Sequence, residues 1–116
     1  MPQNFSRTDF QNIFITGVKE FNNNSINRAH LTWETIWKKG TSQDRLLIKG
    51  FIQLTGAIRN KLLEKDLAFI YLKEKAIKNI SENFEINALI DKKNLVRDLR
   101  LLTLSSLFSF KINLYD

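Results

Sequence analysis

Hydrophobic residues recur at three- and four-residue steps through most of this chain, which is the period of an amphipathic α-helix. Phe10, Ile13, Phe14, Val18 and Phe21 share one helical face. The spacing predicts a first helix opened by Thr8, with Thr8-x-x-Gln11 as its capping box, and ended by Asn22, Asn23 and Asn24. Gly17 lies on the apolar face, where it would let a second helix come close. Ile26, Ala29, His30, Trp33 and Trp37 repeat in the same way after Asn24 or Ser25, either of which can cap a second helix. Lys38 and Lys39 suit its C-terminal end, and Gly40 suits the position just past it.

A third helix, about 43–63, follows a cap at Thr41 or Ser42. Its apolar residues, from Leu46 and Leu47 through Phe51 and Leu54 to Ile58 and Leu62, nearly encircle the axis. A helix apolar on most sides is buried on most sides, so this one is expected at the centre. Gly50 within it would cost about 1 kcal/mol relative to alanine in an exposed helix. Close packing under Trp33 or Trp37 is the expected compensation. A turn near Glu64 to Asp66 leads to a fourth helix with a core stripe of Leu67, Ile70, Tyr71, Ala76, Ile77 and Ile80.

Residues 81–90 fit either a helical extension or a loop with a short helical turn. Asp91 then caps a fifth helix with Leu95, Leu99, Leu102 and Ser106 as its seam. Phe110, Ile112 and Leu114 alternate, as in an extended segment, but no sheet is expected for them to join. They would cross the bundle or mediate association. The fold class is therefore all-α: a compact bundle of about five helices in a single domain, 1–116, with 1–7 and 110–116 peripheral or flexible. No internal repeat is legible.

Composition narrows the functional classes. The 116 residues include one proline, four glycines and no cysteine. Few breakers favour long helices, and the lack of cysteine removes disulfides and thiolate chemistry. The net charge of +6 comes from interspersed acids and bases, which reads first as solubility. No apolar run approaches the ~20 residues of a membrane span, and the N-terminus lacks the features of a signal peptide. A cytoplasmic protein with no membrane association is the expectation.

Candidate chemistry concentrates between Ile26 and Gln53. His30 and Glu34 are one helical turn apart, which permits an acid–base pair, part of a metal site, or a structural hydrogen bond. The structural bond is the stronger reading, because a second histidine and further acids on that face are missing. No metal or cofactor is expected. Trp33 and Trp37 are read as core first and as pocket lining second. Gln53 and Arg59 are polar exceptions on the third helix, and Arg45 lies at its start. With His30, Glu34 and Trp37 they could converge on a small molecule or an anion. Lys92, Lys93, Arg97 and Arg100 form a basic stripe without interleaved aromatics, so a solvated face is favoured and nucleic acid is an unlikely partner.

Phe21, Asn22, Ala29, His30, Glu34, Trp37, Arg45, Leu47, Gly50, Ile52, Gln53, Leu54 and Ala57 together resemble the pattern of the domain of unknown function 309 family. That pattern reads approximately FNxGxYxxAHExxExxW, a turn, then RxLLxGLIQxAAAxxH. The resemblance implies a small all-helical protein and assigns no biochemical role. The acid that follows the family's histidine is Leu31 here, and its second histidine is absent. The family's glycine after Phe-Asn is Asn24, and its later Gly-Asn turn is replaced around Glu64 to Asp66. These readings favour a non-enzymatic module that binds a protein partner or itself. A small-molecule or anion site around His30 and Glu34 is the alternative, and weak nucleic-acid binding through the basic stripe is the third.

Overall fold

The structure is a computed structural model that describes residues 5–83, 85–102 and 110–115. It is an all-α bundle of five helices: α1 (Arg7–Asn22), α2 (Ile26–Lys39), α3 (Ser42–Leu62), α4 (Asp66–Ser81) and α5 (Lys92–Arg100). A 3₁₀ turn, Glu85–Ala88, resolves the ambiguity of residues 81–90 in favour of a loop with one short helical turn. Packing follows chain order. Helix α1 lies on α2, α3 lies along both α2 and α4, and α5 sits on α4. The central position expected of α3 is thus met, and Leu47, Ile48, Phe51, Leu54, Ala57 and Ile58 are all buried on it. The molecule measures 46 × 27 × 25 Å, elongated along this succession of helices.

The first helix starts earlier than its sequence suggested. Ser6, not Thr8, is the N-cap, and the box is Ser6 with Asp9. Asp9 outcompetes Gln11 because it sits at the third helical position and carries a charge suited to the helix N-terminus. The Ser6 backbone amide, and then its hydroxyl, hold the Asp9 carboxyl below the usual carboxylate range. Thr41 and Asp44 form the expected box on α3. Arg7 reaches from α1 to Asp44 at 3.4 Å and to Glu85 at 3.0 Å, joining three chain segments at one end of the bundle.

Two turns are alike. Asn24 has φ 64° and Glu64 has φ 60°, both left-handed. In the first, the Asn24 amide donates to Phe21 O at 2.9 Å and the Ser25 amide to Glu20 O at 2.9 Å. In the second, Glu64 donates to Lys61 O at 3.0 Å and Lys65 to Asn60 O at 2.8 Å. Each is a Schellman closure followed at once by a new helix. So α1–α2 and α3–α4 are two αα-hairpins with the same turn, a structural repeat that the side chains conceal.

Glycines also set the helix spacing. A Cβ on Gly17 would lie 2.2 Å from Trp33 Nε1, so the indole rests directly on the α1 backbone. Trp33 is fully buried among Phe14, Phe21 and Phe51 and donates its Nε1–H to Phe14 O at 3.1 Å. Gly50 faces elsewhere than expected. A Cβ there would meet Ile80 Cγ1 at 2.7 Å and the Ile80 backbone nitrogen at 3.0 Å, so its partner is α4 and not a tryptophan. Gly40 is extended (φ −81°, ψ 174°) rather than left-handed, and its missing Cβ leaves room for Asp44 and Ile36 O.

The stripe on α4 needs correction. Phe69, Ala76, Ile77 and Ile80 are buried, with Leu72 half-buried between them, whereas Leu67, Ile70 and Tyr71 are exposed. Phe69 is the anchor that fixes the rotation of the helix, and it points one residue away from the expected seam. Leu95, Leu99 and Leu102 seal α5 as expected, Leu101 is exposed, and Ser106 lies outside the described residues.

The C-terminal segment is held within the fold. Phe110 and Ile112 are buried, and Phe110 meets the Phe21 ring edge-on. The Asn22 amide grips Ile112 from both sides, donating to its carbonyl at 2.8 Å and accepting from its amide at 2.8 Å. Ile90 and Leu114 form an isolated antiparallel bridge. The extended conformation read from the alternation is therefore satisfied by a side chain and a loop, without a sheet.

Candidate functional site

His30 is the centre of the polar contact between α2 and α3. Its Nε2 lies 3.1 Å from Glu34 Oε1 on the same helix, and its Nδ1 lies 2.7 Å from Thr55 Oγ1 on α3. Thr55 Oγ1 is in turn 2.7 Å from Ile52 O. Thr55 is fully buried, while His30 and Glu34 are partly exposed. A neutral ring that gives its Nε2 proton to Glu34 accepts the Thr55 hydroxyl proton at Nδ1, and Thr55 then has none for Ile52 O. With Glu34 ionised, all three contacts are hydrogen bonds at once only when both ring nitrogens carry protons.

The other candidates divide by helix end. Glu34 and Trp37 line a shallow groove with Lys49, Ile52 and Gln53, about 190 Å³ in volume. The Gln53 carbonyl oxygen is already engaged, accepting from the Asn79 amide of α4 at 2.6 Å. Trp37 is 41% exposed, so the two tryptophans split: Trp33 is core and Trp37 is surface. The physical reason is that Trp33 shares the α2 face with Ala29 and Ile36, which are buried. Arg45 donates its Nε to Trp37 O at 2.8 Å, and its guanidinium lies 5.8 Å from the Trp37 ring centroid. That contact ties the end of α2 to the start of α3. Arg59 is exposed on α3, one turn beyond Thr55.

The six candidate residues thus do not meet at one point. His30 and Glu34 meet each other, Glu34 shares a groove with Trp37 and Gln53, and Arg45 and Arg59 occupy opposite ends of α3. Two contributors escaped the sequence reading. Thr55 is a lone hydroxyl within an apolar helix, and Lys49 reads as solvent-facing by type. Their signal was their spacing from Ile52, which lies one turn after Lys49 and one turn before Thr55 on α3. Among the described residues no three histidine, cysteine, aspartate or glutamate side chains are grouped to hold a metal ion. Every buried side-chain nitrogen and oxygen among them has a hydrogen-bond partner.

The basic stripe on α5 has a different setting from that expected. Lys92, Lys93, Arg97 and Arg100 line a concave surface of about 470 Å³ with Val96 and Leu101. Lys92 Nζ donates to Ser81 O at 3.1 Å and Asn83 O at 3.3 Å, where it caps the end of α4. No described helix is long and apolar enough to cross a membrane.

No curated protein matches this chain. The model of DUF309, a domain of unknown function, matches residues 14–63, a stretch that holds the Phe21-to-Ala57 pattern and runs from the middle of α1 through α2 and α3.

Proposed function

We propose that this protein is a non-enzymatic helical interaction module that self-associates through the end of the α3–α4 hairpin. The observation that carries this reading is an apolar band. Leu63, Leu67 and Tyr71 are 64%, 86% and 62% exposed, and Leu62 and Ile70 are about half exposed beside them. Scattered exposed apolar residues are ordinary, but five large ones within ten positions form a patch of the kind that marks contact surfaces.

Charge favours a second copy as the occupant. Lys61, Lys65, Lys73 and Lys75 alternate with Glu64, Asp66 and Glu74 around the band. A two-fold arrangement opposes such a mixed surface to itself, so that lysines of one copy face acids of the other. Burying a fully exposed large apolar side chain contributes about 1.5–3 kcal/mol, and association costs about 4–15 kcal/mol. Five partly exposed side chains per copy therefore support a weak dimer, with Kd on the order of micromolar or weaker. Sedimentation velocity from about 10 μM to about 1 mM tests it. The sedimentation coefficient should rise with concentration and stop rising in Leu67→Glu/Tyr71→Glu. A coefficient that is flat for the wild-type chain over this range refutes self-association.

A second reading rests on the groove beside His30. Glu34 and Lys49 offer opposite charges to a small polar molecule, and Gln53 adds an amide. Amide shifts of residues 34, 37, 49 and 53 on titration with a small zwitterion such as glycine, lost in Glu34→Gln, would support it. Shifts spread evenly over the surface would remove it.

A further inference from the structure

We infer that the concave face of α5 binds an anionic amphiphile: an apolar chain or ring carrying one phosphate, sulfate or carboxylate. The argument starts from the sequence. Lys92, Val96 and Arg100 follow one another at four-residue steps, as do Lys93, Arg97 and Leu101. On a helix these two rows are adjacent, so the apolar Val96 and Leu101 lie among the cationic side chains. Leu95 and Leu99 occupy the opposite, buried face and fix this orientation. The surface they produce is a hollow of about 470 Å³, within the ~300–1,000 Å³ of ligand-sized clefts.

The chemistry of the hollow selects its ligand. Four of its side chains are cationic and none is acidic. Lys92 is engaged on the α4 carbonyls, so Lys93, Arg97 and Arg100 are the groups that would meet an anion. The nearest acid in sequence, Asp98, pairs with Arg97 at 3.2 Å in an exposed geometry that water screens readily. Arginine guanidinium suits a phosphate or carboxylate by presenting a planar fork of donors. Apart from Ser81, the rest of the described lining is hydrocarbon: Val96, the exposed Leu101 and the stems of the long cations. A bare phosphate would leave that hydrocarbon wet, and a neutral apolar molecule would leave the cations unmatched. A molecule with both parts satisfies both. Among the described residues no aromatic side chain lines the hollow, so a nucleic acid would find charge there without a stacking platform.

The test is calorimetric titration of the full chain with dodecyl phosphate below its micelle concentration, with decanol, inorganic phosphate and a short single-stranded DNA as comparisons. Dodecyl phosphate should bind with one-to-one saturation and at least tenfold more tightly than decanol or inorganic phosphate. Arg97→Gln/Arg100→Gln and, separately, Leu101→Glu should each weaken it at least tenfold. All three side chains are exposed, and circular dichroism verifies that the variants stay folded. Lys39→Gln, an exposed charge on α2, should leave binding unchanged. Flotation with anionic phosphatidylglycerol vesicles separates the two sources of such a ligand. Co-flotation lost in Leu101→Glu assigns a membrane lipid, and its absence alongside dodecyl phosphate binding assigns a free molecule. The inference is overturned by unsaturable binding of dodecyl phosphate, by equal weakening in Lys39→Gln, by inorganic phosphate binding as tightly, or by DNA binding more tightly.

Discussion

Replacing Gly17 with alanine should destabilise the protein by about 3 kcal/mol, against the usual benefit of alanine in a helix. The new Cβ would lie 2.2 Å from Trp33 Nε1 and 2.6 Å from Cδ1 and Cε2. Ordinary contact begins near 3.4 Å, so the indole or the helix must move by the difference, 3.4 − 2.2 = 1.2 Å. The indole has no room to turn. Phe14 and Phe21 are stacked on it at centroid distances of 6.1 Å each, and Phe51 meets it at 5.4 Å. Overpacking of this kind costs about 1–3 kcal/mol. Displacing the ring also breaks the bond from Nε1–H to Phe14 O, which leaves a buried donor unpaired at a further ~1–3 kcal/mol. The gain in helix propensity, about 1 kcal/mol, offsets only part of this.

Urea denaturation followed by circular dichroism measures the loss directly, and a fall in Tm of about 10–15 °C should accompany it. Gly56→Ala is the matched control. Its Cβ would meet only the flexible tip of Leu72, at 3.3 Å, so it should be neutral or stabilise by up to about 1 kcal/mol. Trp33→Phe should relieve much of the Gly17→Ala penalty, because the smaller ring leaves space for the methyl group. Stability of Gly17→Ala within about 0.5 kcal/mol of wild type would refute the contact.

Three other perturbations probe the hairpins and their polar ties. Glu64→Gly should raise stability by about 1 kcal/mol, because a left-handed glutamate carries a cost that glycine does not; a loss of stability by urea titration would contradict that. Asn22→Ala should cost about 1–3 kcal/mol and speed hydrogen exchange at the Ile112 amide, since both amide bonds to that residue vanish; unchanged exchange there would mean the segment is held by Phe110 and Ile112 packing alone. His30→Ala and Thr55→Val should be non-additive by more than about 0.5 kcal/mol in a double-mutant cycle, because they share one hydrogen bond across α2 and α3; additive effects would show that this bond is not a tie between the helices.

Helix number, order and type were legible because the apolar period is strong and the breakers are few. The rotation of α4 was not. Leu67, Ile70 and Tyr71 share a plausible helical face with Ile77, and only the burial of Phe69, which lies with Ala76 and Ile80 on the other side of the helix, decides between the two faces. The repeat was hidden for a related reason. The two Schellman turns are built by backbone hydrogen bonds, and Asn23-Asn24-Ser25 shares no side chain with Leu63-Glu64-Lys65. The partner of Gly50 was hidden too, since a glycine announces closeness without naming what comes close. At the candidate site, the intrahelical pair His30–Glu34 follows from spacing alone, whereas Thr55 and Asn79 come from other helices and become visible only in three dimensions.

Most of the residues that carry the family resemblance have an identifiable mechanical contact. Phe21 stacks on Trp33, and Asn22 grips the C-terminal segment. Ala29 is fully buried in the core, and Gly50 admits α4. Trp37 offers its carbonyl and ring to Arg45, and Gln53 receives Asn79. His30 bridges Glu34 and Thr55. Such contacts are what two stacked hairpins require at every seam: small residues for approach, and paired polar groups wherever a hydroxyl or an imidazole is buried. Architecture therefore accounts for these residue types without any substrate. Glu34, Trp37, Ile52 and Gln53 are the residues among them that also line the groove, together with Lys49. Glu34 and Lys49 are the charged members of that lining, and a variant series that spares the His30–Thr55 tie while changing those two is the one that can separate function from fold.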